Sequence, residues 1–564
     1  MGDLLVQGGT LVDGTGAAAR RADVRVRGGV VVEIGENLAP DGEVTVDAGG
    51  AYVAPGFMES HSHFDGSMWW DPSCDPLPSY GTTTAVIGNC GLTVAPLSTA
   101  MRPSMVELFC FIEDLPLAAF QQAIPWTWED WPEYRAAALA NPAAINVGAF
   151  VGHQALRTYV MGADAWERAA TPAELELLCA VLDRALTAGA LGFSTTFMDT
   201  DRDNREVPSR KADDTEFAAI IDVLARHPGS TFQFVPRFMQ AEHWLPDLER
   251  IAALCGARGV RGNYVGLRPS LQYAEEYAYR RPITRKLREQ GLDFWTAFSA
   301  APTYVNLHFD RSIMWHGVLS WHEMVNGPQA DKARLLADPA WRAKARAEWD
   351  ACTYTLAPIK VPHRILLDHS ERGLPLGASS LTELAERTGT HPSDALADWL
   401  LEHGLGSSLR TAPQVPDDAA NVELLRDPHT ITAISDAGAH IQMFNGAGNA
   451  TWMLAHYVRD TGQCTVEEIV HAVTGKMATH FGLADRGTLE IGQAGDLTVF
   501  ALDEIDLAPD VRVDDVPGGS WRYTRAPGGY RATAVNGSLT WDTTAATPAT
   551  GARPGTFLSA RPRG

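Results

Sequence analysis

Short apolar runs and amphipathic stretches alternate along most of the chain, and their texture divides it into regions. Residues 3–54 hold brief apolar or alternating runs broken by Gly and Asp, at 4–6, 10–12, 22–26, 30–34 and 44–46. In the third, Ala22, Val24 and Val26 alternate with Asp23 and Arg25, the period of a half-buried strand. The same texture returns at 488–541. The middle instead shows continuous apolar runs separated by helical periodicity. Eight such runs lie near 54–61, 84–90, 144–151, 190–195, 231–235, 260–265, 293–298 and 430–436, with helical segments including 172–188, 213–226, 393–402 and 466–474. Strands alternating with helices predict parallel βα units, and eight of them predict a (β/α)8 TIM-type barrel of α/β class. Residues 363–367 are a surplus strand candidate.

This pattern predicts residues 1–54 and 485–545 as two parts of one β-sandwich. Residues 55–484 form the barrel, and 546–564 an irregular tail. Two insertions stand out, near 99–140 with Trp126, Trp128, Trp131 and Tyr134, and near 300–360 with Tyr304, Trp315, Trp321 and Trp341. Those aromatics either pack the insertions onto the barrel rim or roof an apolar substrate group.

Composition narrows the class. The 564 residues exceed one compact core, so more than one domain is expected. A net charge of −23 disfavours nucleic acid or an anionic membrane as partner. Seven scattered cysteines without a C-x-x-C pattern suggest reduced thiols and a cytoplasmic location. No signal peptide is apparent at the N-terminus, and no run of about 18 apolar residues offers a membrane span. A homo-oligomer is compatible with all of this.

Candidate chemistry gathers at the ends of three strands. His61 and His63 sit two apart after an apolar run, so on a strand both leave the same face. Two imidazoles on one face can grip a divalent cation, which acidifies a bound water. Cys90 ends the second run and Asp436 the last, with His440 four residues beyond. Catalytic groups of a barrel collect at the C-terminal strand ends. Each residue also has a plainer reading: a chance His-x-His pair, a thiol buried as a small hydrophobe, an acid capping a strand end. Asp65 and His369 read as loop hydrogen-bonders.

In order, the segments at 8–16, 53–57, 61–63, 88–91, 151–157, 189–195, 435–440 and 492–497 resemble the amidohydrolase superfamily, and within it the D-aminoacylase (N-acyl-D-amino-acid deacylase) family, over nearly the whole chain. The resemblance implies a barrel with a β-sandwich from both chain ends and a Zn2+ or similar ion. It places His61, His63, Cys90 and Asp436 as metal ligands, with Asp436 also handling the proton of the attacking water. The family takes further histidines from strands five and six. Here those strands offer Gln233 and Asn263, and Ser194-Thr195 stands where a bridging lysine would be. One ion rather than two is therefore expected.

His153, ending strand three, reads as an oxyanion donor or as a structural histidine. Arg237, Arg268 and His440 are candidates for substrate contact, the arginines through a bidentate carboxylate pair. The expected activity is hydrolysis of a linear amide, an N-acyl amino acid or similar small N-acyl compound, by metal-activated water. Opening of a cyclic amide, or a barrel that only binds ligand, are the alternatives.

Overall fold

A computed structural model describes the chain apart from Met239, residues 353–361, Ala433 and residues 562–564. Eight strands lie side by side in chain order in one parallel sheet: Phe57–Glu59, Thr82–Ile87, Asn146–Gly152, Gly192–Thr196, Thr231–Val235, Arg261–Leu267, Phe294–Phe298 and Thr430–Ile431. The first continues as His61–Ser62 and the last as Ile434–Ala437. These continuations pair in parallel, with Ile434 opposite His61, so the two edges of the curled sheet meet. The architecture is that of a TIM-like α/β fold. Most of these strands are buried along their whole length. A strand buried on both faces reads as an unbroken apolar run.

The covering helices are bounded by side-chain caps. Thr171 takes the Glu174 amide while the Glu174 carboxylate takes the Thr171 amide at the start of Pro172–Thr187, and Asp213 takes the Glu216 amide ahead of Asp214–Ala225. Because all eight strands run the same way, their C-terminal ends share one rim.

Both chain ends build sheet structure beside the curled sheet. Leu4–Gln7, Asp23–Arg27, Val30–Gly35 and Val44–Asp47 form a four-stranded sheet. A six-stranded sheet joins Tyr52–Pro55 to Leu497–Phe500, with Leu497 opposite Pro55. Leu4, Val24, Val53 and Val499 belong to one apolar cluster spanning both sheets. Between Leu497–Phe500 and Ala532–Val535 the chain leaves this sheet as a hairpin, Asp510–Val516 with Ser520–Arg525. Arg522 of the hairpin pairs with Asp71 and Asp75, and the Tyr523 amide donates to Ile441 O at 2.7 Å, which ties the hairpin to the rim. The terminal tail is irregular but held. Leu558 N donates to Val147 O at 2.7 Å, and Phe557 packs edge-on against Trp131 and Tyr134.

The second insertion is longer than the aromatic stretch at 300–360 suggests. Asn306–Leu307, Ile365–His369 and Ser408–Thr411 form a separate sheet, accompanied among the described residues by five α-helices from Leu319–Asn326 to Pro392–His403. The surplus strand is thus accounted for: Ile365–His369 runs antiparallel to Ser408–Thr411, outside the parallel sheet. Trp315, Trp321, Leu336, Trp349 and Leu400 give this insertion an apolar core of its own. Trp128, Trp131 and Tyr134 of the first insertion are buried in the main core. These tryptophans pack the insertions and do not roof the cavity at the rim.

Trp321 is fully buried, stacks on Trp315 and donates its indole N–H to Ser393 Oγ at 2.9 Å. Trp321→Ala should cost about 3–5 kcal/mol, read as a shift of the denaturant midpoint.

Candidate metal centre

The first, second and eighth strand ends bring His61, His63, Cys90 and Asp436 together. His61, His63 and Cys90 each offer a ligand atom, and these atoms lie within 4.8 Å of one another. His61 Nε2 is 3.2 Å from Cys90 Sγ and 3.5 Å from Asp436 Oδ1, and His63 Nε2 is 4.0 Å from Cys90 Sγ. All four line a cavity of about 260 Å³.

Local backbone geometry explains how a cysteine just past a strand faces inward. After Thr82–Ile87 the chain turns sharply through Gly88 (φ 73°), Cys90 (φ 57°) and Gly91 (φ 72°). A non-glycine residue in the left-handed region is held there by its surroundings. The Cys90 amide donates to Gln233 Oε1 at 3.0 Å, and the Gly91 amide to Ser194 Oγ at 3.0 Å, while that hydroxyl donates to Gly88 O. A Cβ at Gly91 would sit 2.1 Å from Gln154 Oε1. Ser194 on strand four and Gln233 on strand five therefore hold the Cys90 turn. Asn263 on strand six donates to His480 Nε2 at 2.9 Å. The ends of strands five and six present Val235 and Val265 to the cavity.

The electrostatics suit a cation. Burial lowers the basicity of His61 and, more strongly, of His63, so both rings favour the neutral form that ligates metal. Burial, reinforced by Glu113 and Asp199, pushes the Cys90 thiol well up, so binding as thiolate needs an ion to displace its proton. Burial alone would raise Asp436, but the imidazoles of His61, His440 and His63 and the Arg268 guanidinium hold it below the usual aspartate value.

The sequence profile of the amidohydrolase family matches residues 44–540. The chain belongs to the amidohydrolase family. It is 29% identical over 567 residues to an N-acyl-D-aspartate deacylase of Alcaligenes xylosoxydans xylosoxydans, covering 96% of this chain and 92% of that protein. It is 28% identical over 552 residues to a D-aminoacylase of the same organism, covering 96% and 94%. Its fold matches the N-acyl-D-glutamate deacylase of Bordetella bronchiseptica, solved with zinc and a phosphonate mimic of the tetrahedral intermediate. That match has a TM-score of 0.68 and 25% identity, over 99% of this chain and all of that one.

In this amidohydrolase the other residues singled out from sequence divide. Arg268 and His440 line the cavity. Among the described residues no hydrogen bond or ion pair engages the Arg268 guanidinium. Two expectations need correction. His153 opens the helix that follows strand three, and its ring is fully buried away from the cavity. Its Nε2 lies 2.8 Å from Glu216 Oε1 and its Nδ1 2.9 Å from Thr195 Oγ1, so neither nitrogen is left for an oxyanion. Arg237 forms a bidentate pair with the buried Asp247, both contacts at 2.7 Å, and so is not offered to substrate. Glu113, Asp199 and Tyr273 line the cavity and went unnoticed in the sequence. The charged pair Glu113-Asp114 ending the apolar run 108–112 was the available signal. No described helix is long and apolar enough to cross a membrane.

Arg237→Ala should act on stability rather than substrate affinity. Leaving Asp247 buried without its partner should cost about 3 kcal/mol, seen in denaturant unfolding, with KM unchanged.

Proposed function

We propose that this amidohydrolase deacylates N-acyl amino acids of the D-series, using one divalent ion. It is read as a (β/α)8 barrel over residues 55–484 with a β-sandwich from 1–54 and 485–545 and an irregular tail at 546–564. The observation that carries the proposal is the convergence of His61, His63, Cys90 and Asp436 on the floor of a cavity whose wall bears the unpaired Arg268. The full-length relatives named above, all deacylases of N-acyl-D-amino acids, support the bond and the stereoseries.

The donor set fits zinc: two neutral imidazoles and a soft sulfur, with a carboxylate beside them. Gln233 and Asn263 are committed elsewhere and Val235 and Val265 face the cavity, which supports one ion rather than two. When bound, such an ion acidifies water and polarises a carbonyl. Asp436, kept in its basic form, takes the proton of the attacking water and returns it to the leaving nitrogen. Arg268, with Tyr273 nearby on the same wall, receives the substrate carboxylate as a charge-assisted pair. His440, past the end of strand eight, lines the same cavity and faces the substrate. Ile112, Met198, Ile313 and Met314 give the acyl group an apolar surface.

Purified enzyme should hydrolyse N-acyl-D-amino acids, lose that activity to a chelator and regain it with zinc. Full turnover in metal-free protein, or turnover of L-substrates alone, would contradict the proposal. Asp436→Asn should lower kcat at least about 100-fold in a folded protein, whereas near-normal kcat would mean another group moves the proton. Arg268→Ala should raise KM about 10- to 100-fold, as expected for a charged hydrogen bond worth about 1.5–3 kcal/mol, with a smaller change in kcat.

A further inference from the structure

Glu113 comes from the first insertion, not from the curled sheet, yet its side chain is 3% exposed and meets two histidines of the site. One carboxylate oxygen, Oε1, is 3.5 Å from His63 Nδ1, and the other, Oε2, is 3.5 Å from His440 Nε2. The His63 ring is boxed by apolar and aromatic neighbours. The Phe109 ring stands edge-on at 6.3 Å and His61 at 5.3 Å. Its Nε2 points toward the Cys90 sulfur, and its Nδ1 is buried without a hydrogen-bond partner. Glu113 is the acidic group paired with that nitrogen.

The main chain fixes where this carboxylate sits. Glu113 caps the helix Arg102–Ile112, with its amide donating to Phe109 O at 3.0 Å. Its carbonyl accepts the amide of His440, three residues past the end of strand eight. The insertion is therefore anchored at the point where its acidic side chain reaches the centre. A metal-ligating imidazole almost always donates its second N–H to a carboxylate, carbonyl or water, which fixes the tautomer and the ring orientation. A modest closure of the 3.5 Å contact reaches the roughly 2.7–2.9 Å of a charge-assisted bond.

We infer that Glu113 is a positioning residue of the metal centre: its carboxylate accepts the Nδ1–H of His63, turning Nε2 toward the ion, and its second oxygen tethers His440. This rests on the metal reading given above. The insertion thereby supplies an outer carboxylate in a chain whose fifth and sixth strands offer no histidine.

The test is zinc affinity of the full chain, measured by competition with a chromophoric chelator, alongside the visible spectrum of the cobalt-loaded protein. Glu113→Ala should weaken zinc about 10- to 100-fold and shift the cobalt spectrum. The isosteric Glu113→Gln, which keeps the shape, should weaken zinc by a smaller factor and settles the matter if the alanine variant does not fold. Unchanged zinc affinity in folded Glu113→Gln and an unchanged cobalt spectrum would overturn the inference. A loss as large as that of His63→Ala would also overturn it, by making Glu113 a direct ligand. Wild-type protein without zinc affinity would instead overturn the metal reading on which this one rests.

Discussion

Everything at the rim is organised around one electrostatic constraint, the burial of acidic groups without matching cations. Glu59, Asp65, Glu113 and Asp199 are buried, and Glu113 and Asp199 line the cavity beside the partly exposed Asp436. Burial drives Glu59 up to about 8, Asp65 to about 7 and Asp199 to about 6. An isolated ionised carboxylate in such a place costs several kcal/mol and neutralises unless it is compensated. His61, His440, His63 and Arg268 hold Asp436 down and Arg210 acts on Asp199, whereas burial dominates at Glu59, Asp65 and Glu113. The divalent cation proposed among His61, His63 and Cys90 would supply that compensation.

The fold meets that constraint by division of labour. Parallel strands set ligand-bearing ends on one rim, and strands that carry no ligand support those that do. Gln233 and Ser194 grip the turn that aims Cys90 inward, while Val235 and Val265 keep the far wall apolar. The insertions close the rim from outside. Their tryptophans serve packing, and the one polar contribution of the first insertion is Glu113. The chain ends add a hairpin whose Arg522 locks against Asp71 and Asp75 beside the same rim.

Much of this was legible in the sequence for a physical reason. Strands buried on both faces leave uninterrupted apolar runs, so the eight strands could be counted, and the ligand-type residues stood at their ends. Side-chain direction beyond a strand end was not legible. His153 follows strand three as His61 extends strand one, yet the chain enters a helix at His153 and turns its ring outward to Glu216. Arg237 read as a free rim arginine because its partner, Asp247, lies ten residues on in the following helix, and the turn of chain that brings the two together is not written in either residue. Glu113 was hidden because an acidic pair in an aromatic insertion reads as surface until the helix before it is seen to dock at His440. The extent of the second insertion was missed because its helix Pro392–His403 has the same amphipathic period as a helix covering the curled sheet.

The central claim is that one ion, held by residues of the first, second and eighth strands, occupies the floor of the cavity. Anomalous diffraction from crystals of the zinc-loaded protein tests it most directly. The account predicts a single fully occupied peak at bonding distance, about 2.0–2.3 Å, from His61, His63 and Cys90, with Asp436 beside it. Two fully occupied peaks, or one peak away from these residues, would contradict it.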